Sequence, residues 1–460
     1  MIDAIHSVIN SVNNIVWGWP MLILLVGTHI FLTFRLKFIQ KYTFKALKLA
    51  VTKDRDAPGD VSQFGALSTA LAATLGTGNI VGVAMAIYLG GPGAIFWLWI
   101  TGFFGIATKY AEGLLAVKYR VRTSDGTMLG GPMYALDRGL KMKWLAVLFA
   151  VFCSLAAFGI GNMVQVNAIS VMMENQFNLN VHITGIILFV ITFAVVVGGI
   201  KSIANISKSI VPSYAVIFIL MNLFVICLNL SYVPEAIVLI VKSAFTAKAA
   251  GGGFVASTML MAMRYGVARG LFSNESGLGS APLAAAAATT RNPVRQALVS
   301  MSAVFLDTII MCFLTGLMLV TTIIKNPAGY EGLEGGQFVS YAYNQIPIVG
   351  PIILTIGIFL FAWTTVLGWC YYAERTTEYL FGKKSILPFR ILFSIVTYIG
   401  AVIPLAVVWS AADMFNAFMA IPNLVSLILL SGVIVRETKK YLWSNNLDAI
   451  STDELPTINN

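Results

Sequence analysis

The chain reads as an all-α polytopic membrane protein on three observations: its composition, the length of its apolar runs and the placement of two glycine-rich breaks. Of its 460 residues 58% are hydrophobic and 11% charged, with a mean hydropathy of +0.83, which leaves too little polar surface to coat a soluble globule of this size. Apolar runs recur near 15–34, 62–89, 92–117, 144–173, 181–200, 209–230, 252–288, 296–324, 348–380, 386–408 and 411–435. Each can cross about 30 Å of hydrocarbon as a helix, so eleven transmembrane helices are predicted. Two of the runs, 62–89 and 252–288, carry glycines and polar residues where a plain anchor would carry Leu and Ile.

The first run, Ile15 to Phe34, is followed by Arg35, Lys37, Lys41, Lys45, Lys48, Lys53 and Arg55. Lys37, Lys41, Lys45 and Lys48 fall on one side of a helix, and Ile39, Tyr42, Ala46, Leu49 and Ala50 largely on another, with Phe44 the exception among the lysines. That is the pattern of an interfacial amphipathic helix. With the N-terminus outside, 24 of the 30 Lys and Arg residues fall in inner connections and the C-terminal tail, as the positive-inside rule asks. The expectation is a multi-pass protein of the cell membrane with its N-terminus outside and its C-terminus cytoplasmic. The same asymmetry accounts for most of the net charge of +10 through orientation and contact with anionic membrane lipid, without invoking nucleic acid. Segments 233–248 and 331–346 are semi-apolar and too short to span, so each is expected to lie over the outer face. The N-terminus lacks the basic region and cleavage site of a signal peptide and is expected to be retained. Cys153, Cys227, Cys312 and Cys370 sit in apolar runs without metal or redox spacing and read as buried thiols.

The first break is Gly76-Thr77-Gly78-Asn79-Ile80. Glycine costs roughly 1 kcal/mol in a helix interior, and unwound backbone at membrane depth is tolerated only where it is buried in protein or lines a cavity. Freed N–H groups and carbonyls there make a place for an anion and a small cation side by side. Close packing of small residues accounts for the segment equally well on its own. The second break follows Arg264 and Arg269 at Phe272-Ser273-Asn274-Glu275-Ser276-Gly277-Leu278-Gly279-Ser280, and intramembrane charge faces a bundle interior or a water-filled path. Counted from the run at 62–89, the broken helices are the first and sixth of ten. Each opens a block of five, and five is odd, so the second block is inverted relative to the first, as in secondary transporters with discontinuous helices. The predicted division is 1–60, an extra N-terminal transmembrane helix and amphipathic segment; 61–230, the first repeat; 231–250, an outer connection; 251–435, the inverted repeat; and 436–460, a cytoplasmic tail.

Three further polar sites interrupt apolar runs. Thr364 and Thr365, with Trp369 one turn on, either bond their own helix carbonyls or offer the hard oxygens a dehydrated alkali cation needs. Asn162 and Gln165 share one helix face and serve either as interhelical glue or as ligands. Asp307 either pairs with Arg264 or Arg269 or meets the substrate.

Over essentially its whole length the chain resembles the alanine or glycine:cation symporters, the sodium/alanine symporter family. The resemblance is carried by Ala73-Thr74-Leu75-Gly76-Thr77-Gly78-Asn79-Ile80-Val81-Gly82, Gly90-Gly91-Pro92-Gly93-Ala94, Gly130-Gly131-Pro132-Met133-Tyr134 and the stretch from Gly270 through Pro282. It implies a leucine-transporter-type fold of two inverted five-helix repeats. It further implies that the Thr77 and Gly78 amides receive the substrate carboxylate, with Asn79, Gln165, Phe272, Ser273, Asn274, Thr365 and Trp369 completing the substrate site. Carbonyls of Ala72 and Leu75 with hydroxyls of Thr364 and Thr365 would hold one sodium ion. Thr74, Asn79 and Ser273 resemble part of a second sodium site whose last ligand, in the run 296–324, has no match.

The physical chemistry fits that implication. Half-helix termini carry about +0.5 and −0.5 charge, which suits a zwitterion, and sodium beside a carboxylate couples the two reciprocally. Phe272 and Trp369 around glycines leave a small cavity. The expected function is a sodium-coupled symporter, a monomer importing alanine and glycine by alternating access, with no cofactor beyond the coupling ion. A proton-coupled symporter with Glu275 or Asp307 as carrier is the alternative. A channel fits the paired breaks less well than an occluding site does. No G-x-x-x-x-G-K-[ST] motif points to ATP, and His6, His29 and His182 lie far apart without a carboxylate dyad, so an enzyme is not expected.

Overall fold

The computed structural model describes residues 2–52, 54, 57–246, 258–403 and 406–458. Lys53, Arg55, Lys248 and the start of the seventh run at 252–257 lie outside them. The first apolar run is two helices, α1 (Ile2–Val16) and α2 (Trp19–Arg35), meeting at Gly18. Helix therefore begins well before Ile15, because the stretch from Ile2 is amphipathic rather than uniformly apolar. Pro20 stands in the first turn of α2, where a missing N–H costs no helical bond. In α3 (Thr43–Ala50), Ala46 and Ala50 are buried while Phe44, Lys45 and Lys48 are exposed, the expected two-sided split.

The chain continues through α4 (Gln63–Thr74), α5 (Val81–Gly90), α6 (Gly93–Lys118), α7 (Lys143–Phe158), α8 (Val164–Phe177), α9 (Val181–Val196) and α10 (Gly199–Leu228). It then forms α11 (Val233–Phe245), α12 (Met259–Asn274), α13 (Pro293–Val304), α14 (Phe313–Lys325), α15 (Gly335–Tyr343), α16 (Val349–Phe381), α17 (Ile386–Val402), α18 (Ala406–Leu429) and α19 (Ser431–Thr438). Widened turns at Gly159–Met163 and Phe305–Cys312 carry α7 into α8 and α13 into α14. Among the described residues, eight helical stretches are long and apolar enough to cross a membrane, and α5 and α9 are shorter apolar helices.

The broken helices occupy the middle of the bundle. α4 packs on α10 and α16, and α12 packs on α5 and α6, which also receives α13. Outward, α10 presents Val216, Leu220 and Phe224, and α17 presents Leu387, Ile391 and Ile395; such rows suit hydrocarbon contact. Most of each of the two segments expected to lie over the outer face forms a short helix, α11 and α15. α11 buries Ala236, Ile240 and Ala244 while exposing Val238 and Val241, and packs on α6 and α14; α15 packs on α5.

Near one end of the bundle the start of the first broken helix is stitched to the end of the second broken segment. Val61 pairs with Ala288 in a short parallel bridge, and Thr289 N donates to Val61 O at 2.7 Å. The C-terminal segment, expected as a tail, is bound to this same region. A three-stranded sheet sets Val121–Thr123 between Met128–Leu129, antiparallel, and Thr457–Ile458, parallel. Ser451 N donates to Arg291 O at 2.7 Å, Asn292 Nδ2 to Leu447 O at 2.8 Å, and Lys118 pairs with Asp453 at 2.8 Å. Arg295 bridges Asp54 at 2.9 Å and Asp448 at 2.5 Å.

Candidate functional site

At the end of α4, Leu75 leaves helical geometry (φ −77°, ψ 88°), and one tight turn, Thr77–Asn79, precedes α5. Asn79 Oδ1 accepts from Gly76 N at 3.2 Å, folding the break onto itself. Gln165, held by its own Nε2 donating to Ile160 O at 3.1 Å, presents Oε1 to Thr77 Oγ1 at 3.2 Å and to Thr77 N at 3.5 Å. The glycines are there because their neighbours are close. A Cβ at Gly76 would stand 2.6 Å from Thr365 Oγ1, and one at Gly78 would stand 3.2 Å from the Phe272 ring.

The second break follows Asn274. Glu275, Gly277 and Gly279 take φ of +55°, +91° and +84°, a region uncommon for a non-glycine residue such as Glu275. Two of the loop N–H groups, at Gly277 and Gly279, donate to Glu112 Oε1 on α6 at 3.0 Å each, and Asn423 Nδ2 donates to the same oxygen at 2.7 Å. A buried carboxylate thus supplies the acceptor that a continuous helix would otherwise supply. Lys109 Nζ lies 4.0 Å from Glu112 Oε2, both side chains being buried. The sequence reading gave Glu112 no role and left Lys109 among the unassigned cations; their i, i+3 spacing inside an apolar run was the available signal.

Thr365 is where the expected cation ligands converge. Its Oγ1 is 3.1 Å from Ala72 O, 3.4 Å from Leu75 O and 2.9 Å from Phe361 O in its own helix. One hydroxyl proton cannot serve three carbonyls, so the cluster is rich in hard oxygen lone pairs. Thr364 Oγ1 instead turns to Phe361 O at 3.1 Å. Thr74 Oγ1 likewise bonds within α4, to Ala70 O at 3.1 Å. Asn79 and Ser273 meet at Asp307, whose Oδ1 accepts from Asn79 Nδ2 at 2.6 Å and from Ser273 Oγ at 3.0 Å, while Oδ2 accepts from Thr308 Oγ1 at 2.6 Å. Asp307 is therefore bonded to the two breaks and not to Arg264 or Arg269. Among the described residues no three His, Cys, Asp or Glu side chains cluster to hold a metal, so a cation here would rely on carbonyls, hydroxyls, an amide and one carboxylate.

A small cavity of about 20 Å³ lies between the breaks, room for one or two waters. Of the residues expected at the substrate site, Gly78, Gln165, Phe272, Thr365 and Trp369 line it, together with Gly76, Ile160, Glu275, Leu278 and Asn416, which had no assigned place there. Thr77, Asn79, Ser273 and Asn274 are not on its wall. Asn274 is engaged behind it, donating to Thr308 Oγ1 at 3.1 Å and accepting from Ser276 N at 2.9 Å. Trp369 is seated on Gly161, where a Cβ would come within 2.4 Å of the Trp369 Cβ.

Against known proteins, a sequence model described as the sodium:alanine symporter family matches residues 2–453. A Methanococcus maripaludis protein named sodium/alanine symporter AgcS is 51% identical over 442 residues, covering 95% of this chain and 97% of that one. An uncharacterized transporter of Haemophilus influenzae is 50% identical over 457 residues, 98% of this chain and 99% of that one. A Bacillus subtilis protein named probable sodium/glutamine symporter GlnT is 36% identical over 445 residues, with 96% and 91% covered. Among solved structures, MhsT in complex with L-phenylalanine superposes with a TM-score of 0.54 at 13% identity, over 82% of this chain and 98% of that one. A Na+-coupled sialic acid symporter in a substrate-bound outward-open state gives 0.51 at 13%, over 92% and 86%. At such identity the likeness shows the fold alone, that of leucine-transporter-type membrane proteins.

Proposed function

We propose, from the premise that this chain belongs to the sodium:alanine symporter family, that it imports alanine and glycine together with sodium by alternating access, acting as a monomer in the cell membrane. The observation that carries this reading is the approach of Thr365 Oγ1 to Ala72 O at 3.1 Å and Leu75 O at 3.4 Å across the first break. Sodium at that cluster would draw in Thr364 by a turn of its side chain. Asp307, beside Asn79 and Ser273, is the missing member of the second sodium set with Thr74, and its carboxylate would offset the second positive charge. The substrate carboxylate would sit on the Thr77 and Gly78 N–H groups at the start of α5, where the helix dipole favours an anion. Its ammonium would face the carbonyl end of α12 at Phe272, Ser273 and Asn274, with the methyl group against Phe272 and Trp369.

The same reading keeps eleven spans, one extra helix before two inverted repeats at 61–230 and 251–435, and a topology with the N-terminus outside. The broken helices at corresponding places support the repeats, and the distribution of Lys and Arg supports the orientation. The exposed lysines of α3 would rest on anionic lipid. Uptake of labelled alanine into proteoliposomes under imposed sodium, potassium and proton gradients tests it: accumulation should follow sodium. A proton-coupled reading is favoured by one feature, the buried Glu275 carboxyl on the cavity wall, and uptake that proceeds equally in potassium and follows pH would select it.

A further inference from the structure

A groove of about 280 Å³ runs between α2, in the first apolar run, and α12, with α6 as its floor. α2 lends Leu22, Val26 and Gly27 to it, α6 lends Ile100 and Phe104, and α12 lends Met263. By volume it has room for on the order of twenty waters, yet each water needs about 2–4 polar partners. The polar side chains of the walls are turned to partners elsewhere. Thr101 Oγ1 donates back to Trp97 O at 2.8 Å, Trp97 Nε1 donates to Ala244 O of α11 at 3.1 Å, and His29 Nδ1 is bonded to Thr108 Oγ1 at 2.7 Å. The second His29 nitrogen, Nε2, lies on the Gly105 side, 3.7 Å from where a Cβ would stand.

The groove has a defined depth and a defined mouth. Trp19 and Trp97, each near the N-terminal end of its helix, line it, and Trp19 is 54% exposed; tryptophans favour the level where hydrocarbon meets headgroups. His29, buried and bonded to α6, closes the other end. Ten residues separate Trp19 from His29, about 15 Å along a helix, which is half of a hydrocarbon layer of about 30 Å. The groove is therefore one leaflet deep. Its side is open as well, since Ile23 is 66% exposed and a Cβ on Gly27 would meet nothing within 4 Å.

We propose that the groove is a lipid site, holding one acyl chain of a phospholipid drawn from the leaflet at the N-terminal end of α2. Water lacks partners there and a headgroup lacks a charge to meet, whereas a run of methylenes matches the slot in length, in chemistry and in point of entry. Within a membrane the gain comes from filling the void, because its walls otherwise lack contact on one side. Met263 belongs to the helix that ends in the second break, so the chain is a removable wedge between α2 and the broken helix.

Liposomes doped with a phospholipid that carries a photoreactive diazirine midway along one acyl chain test this, with the attachment sites mapped by mass spectrometry. Label should concentrate on Val26, Ile100, Phe104 and Met263, well above the lipid-facing row Val216, Leu220 and Phe224 of α10. Gly27→Phe, which fills the open space, should bring the groove down to the level of that row and leave the row unchanged. In detergent, added phospholipid should raise the melting temperature of the delipidated protein, as any ligand of the folded state does, and raise that of Gly27→Phe less. Labelling no stronger in the groove than on α10, or untouched by Gly27→Phe, would overturn the proposal, as would an equal thermal response of the two proteins. Groove residues shielded from lipid and cross-linked instead to a second copy of the chain would overturn it in favour of a protein contact. If Gly27→Phe fails to reach the membrane, Ile23→Trp at the mouth decides by the same readouts.

Discussion

Asn79 Nδ2 donates to Asp307 Oδ1 at 2.6 Å, across 228 residues of sequence. Ser273 of the second break donates to the same carboxylate at 3.0 Å, so one side chain ties both interrupted helices together. Asp307→Asn keeps the shape and removes the charge. The sodium concentration for half-maximal alanine binding should rise by roughly tenfold or more, since hydrogen bonds to charged groups are worth about 1.5–3 kcal/mol. Sodium titration of alanine binding to purified protein checks this, and an unaltered midpoint would remove Asp307 from the coupling.

Thr365 and Thr364 are adjacent but aimed differently, and this orders their effects. Thr365→Val loses the hydroxyl facing Ala72 and Leu75 and should raise the sodium midpoint by roughly tenfold. Thr364→Val, whose hydroxyl faces Phe361, should raise it less. Linkage requires alanine's enhancement of sodium binding to fall with it. The opposite ranking would place the ion elsewhere.

Gly161 supports Trp369 from behind. A methyl there would lie 2.4 Å from the Trp369 Cβ, so Gly161→Ala pushes the indole toward a cavity of about 20 Å³. Overpacking typically costs about 1–3 kcal/mol. Alanine uptake should fall more than glycine uptake, and unmodified protein should take up leucine poorly. A glycine-to-alanine uptake ratio untouched by Gly161→Ala would argue that Trp369 does not set the size limit.

Glu112 holds the loop at Gly277 and Gly279 and faces Lys109. Glu112→Gln leaves a buried ammonium without its counter-charge, and breaking a buried pair costs about 3–5 kcal/mol. The melting temperature in detergent should drop sharply, and Lys109→Met in the same chain should restore part of it. Additive losses in that cycle would show the two side chains to be uncoupled.

Orientation is testable with few changes. Cys153, Cys312 and Cys370 are buried and only Cys227 is exposed among the four cysteines. On a Cys227→Ser background, Asn326→Cys should be labelled from outside and Lys440→Cys from the cytoplasm. Labelling of position 326 only from the cytoplasmic side would reverse the topology.

What was legible in the sequence was what is local. Gly76 to Ile80 announces a broken helix by composition alone, and Gln165, Thr365 and Trp369 stand out as polar or bulky residues in apolar runs; each reaches the cavity wall. Asp307 was visible as a charge, but its partners lie in segments far from it in sequence, which no periodicity encodes. Asn416 is one of two amides, with Asn423, in an apolar run and carries no such mark. Asn274 sits in the right motif, yet its side chain is drawn behind the cavity by Thr308, a contact set by helix rotation. The C-terminal strand was beyond reach, since Thr457–Ile458 is too short to show an alternation.

That strand bears on how the protein is made. Arg122 and Thr123 pair with Thr457 and Ile458, and Arg291 O accepts from Ser451 N, so the face of the bundle where the first broken segment begins and the second ends stays incomplete until residues 451–458 have been made. A chain cut short before residue 451 would hold all its apolar helices and still lack this clasp.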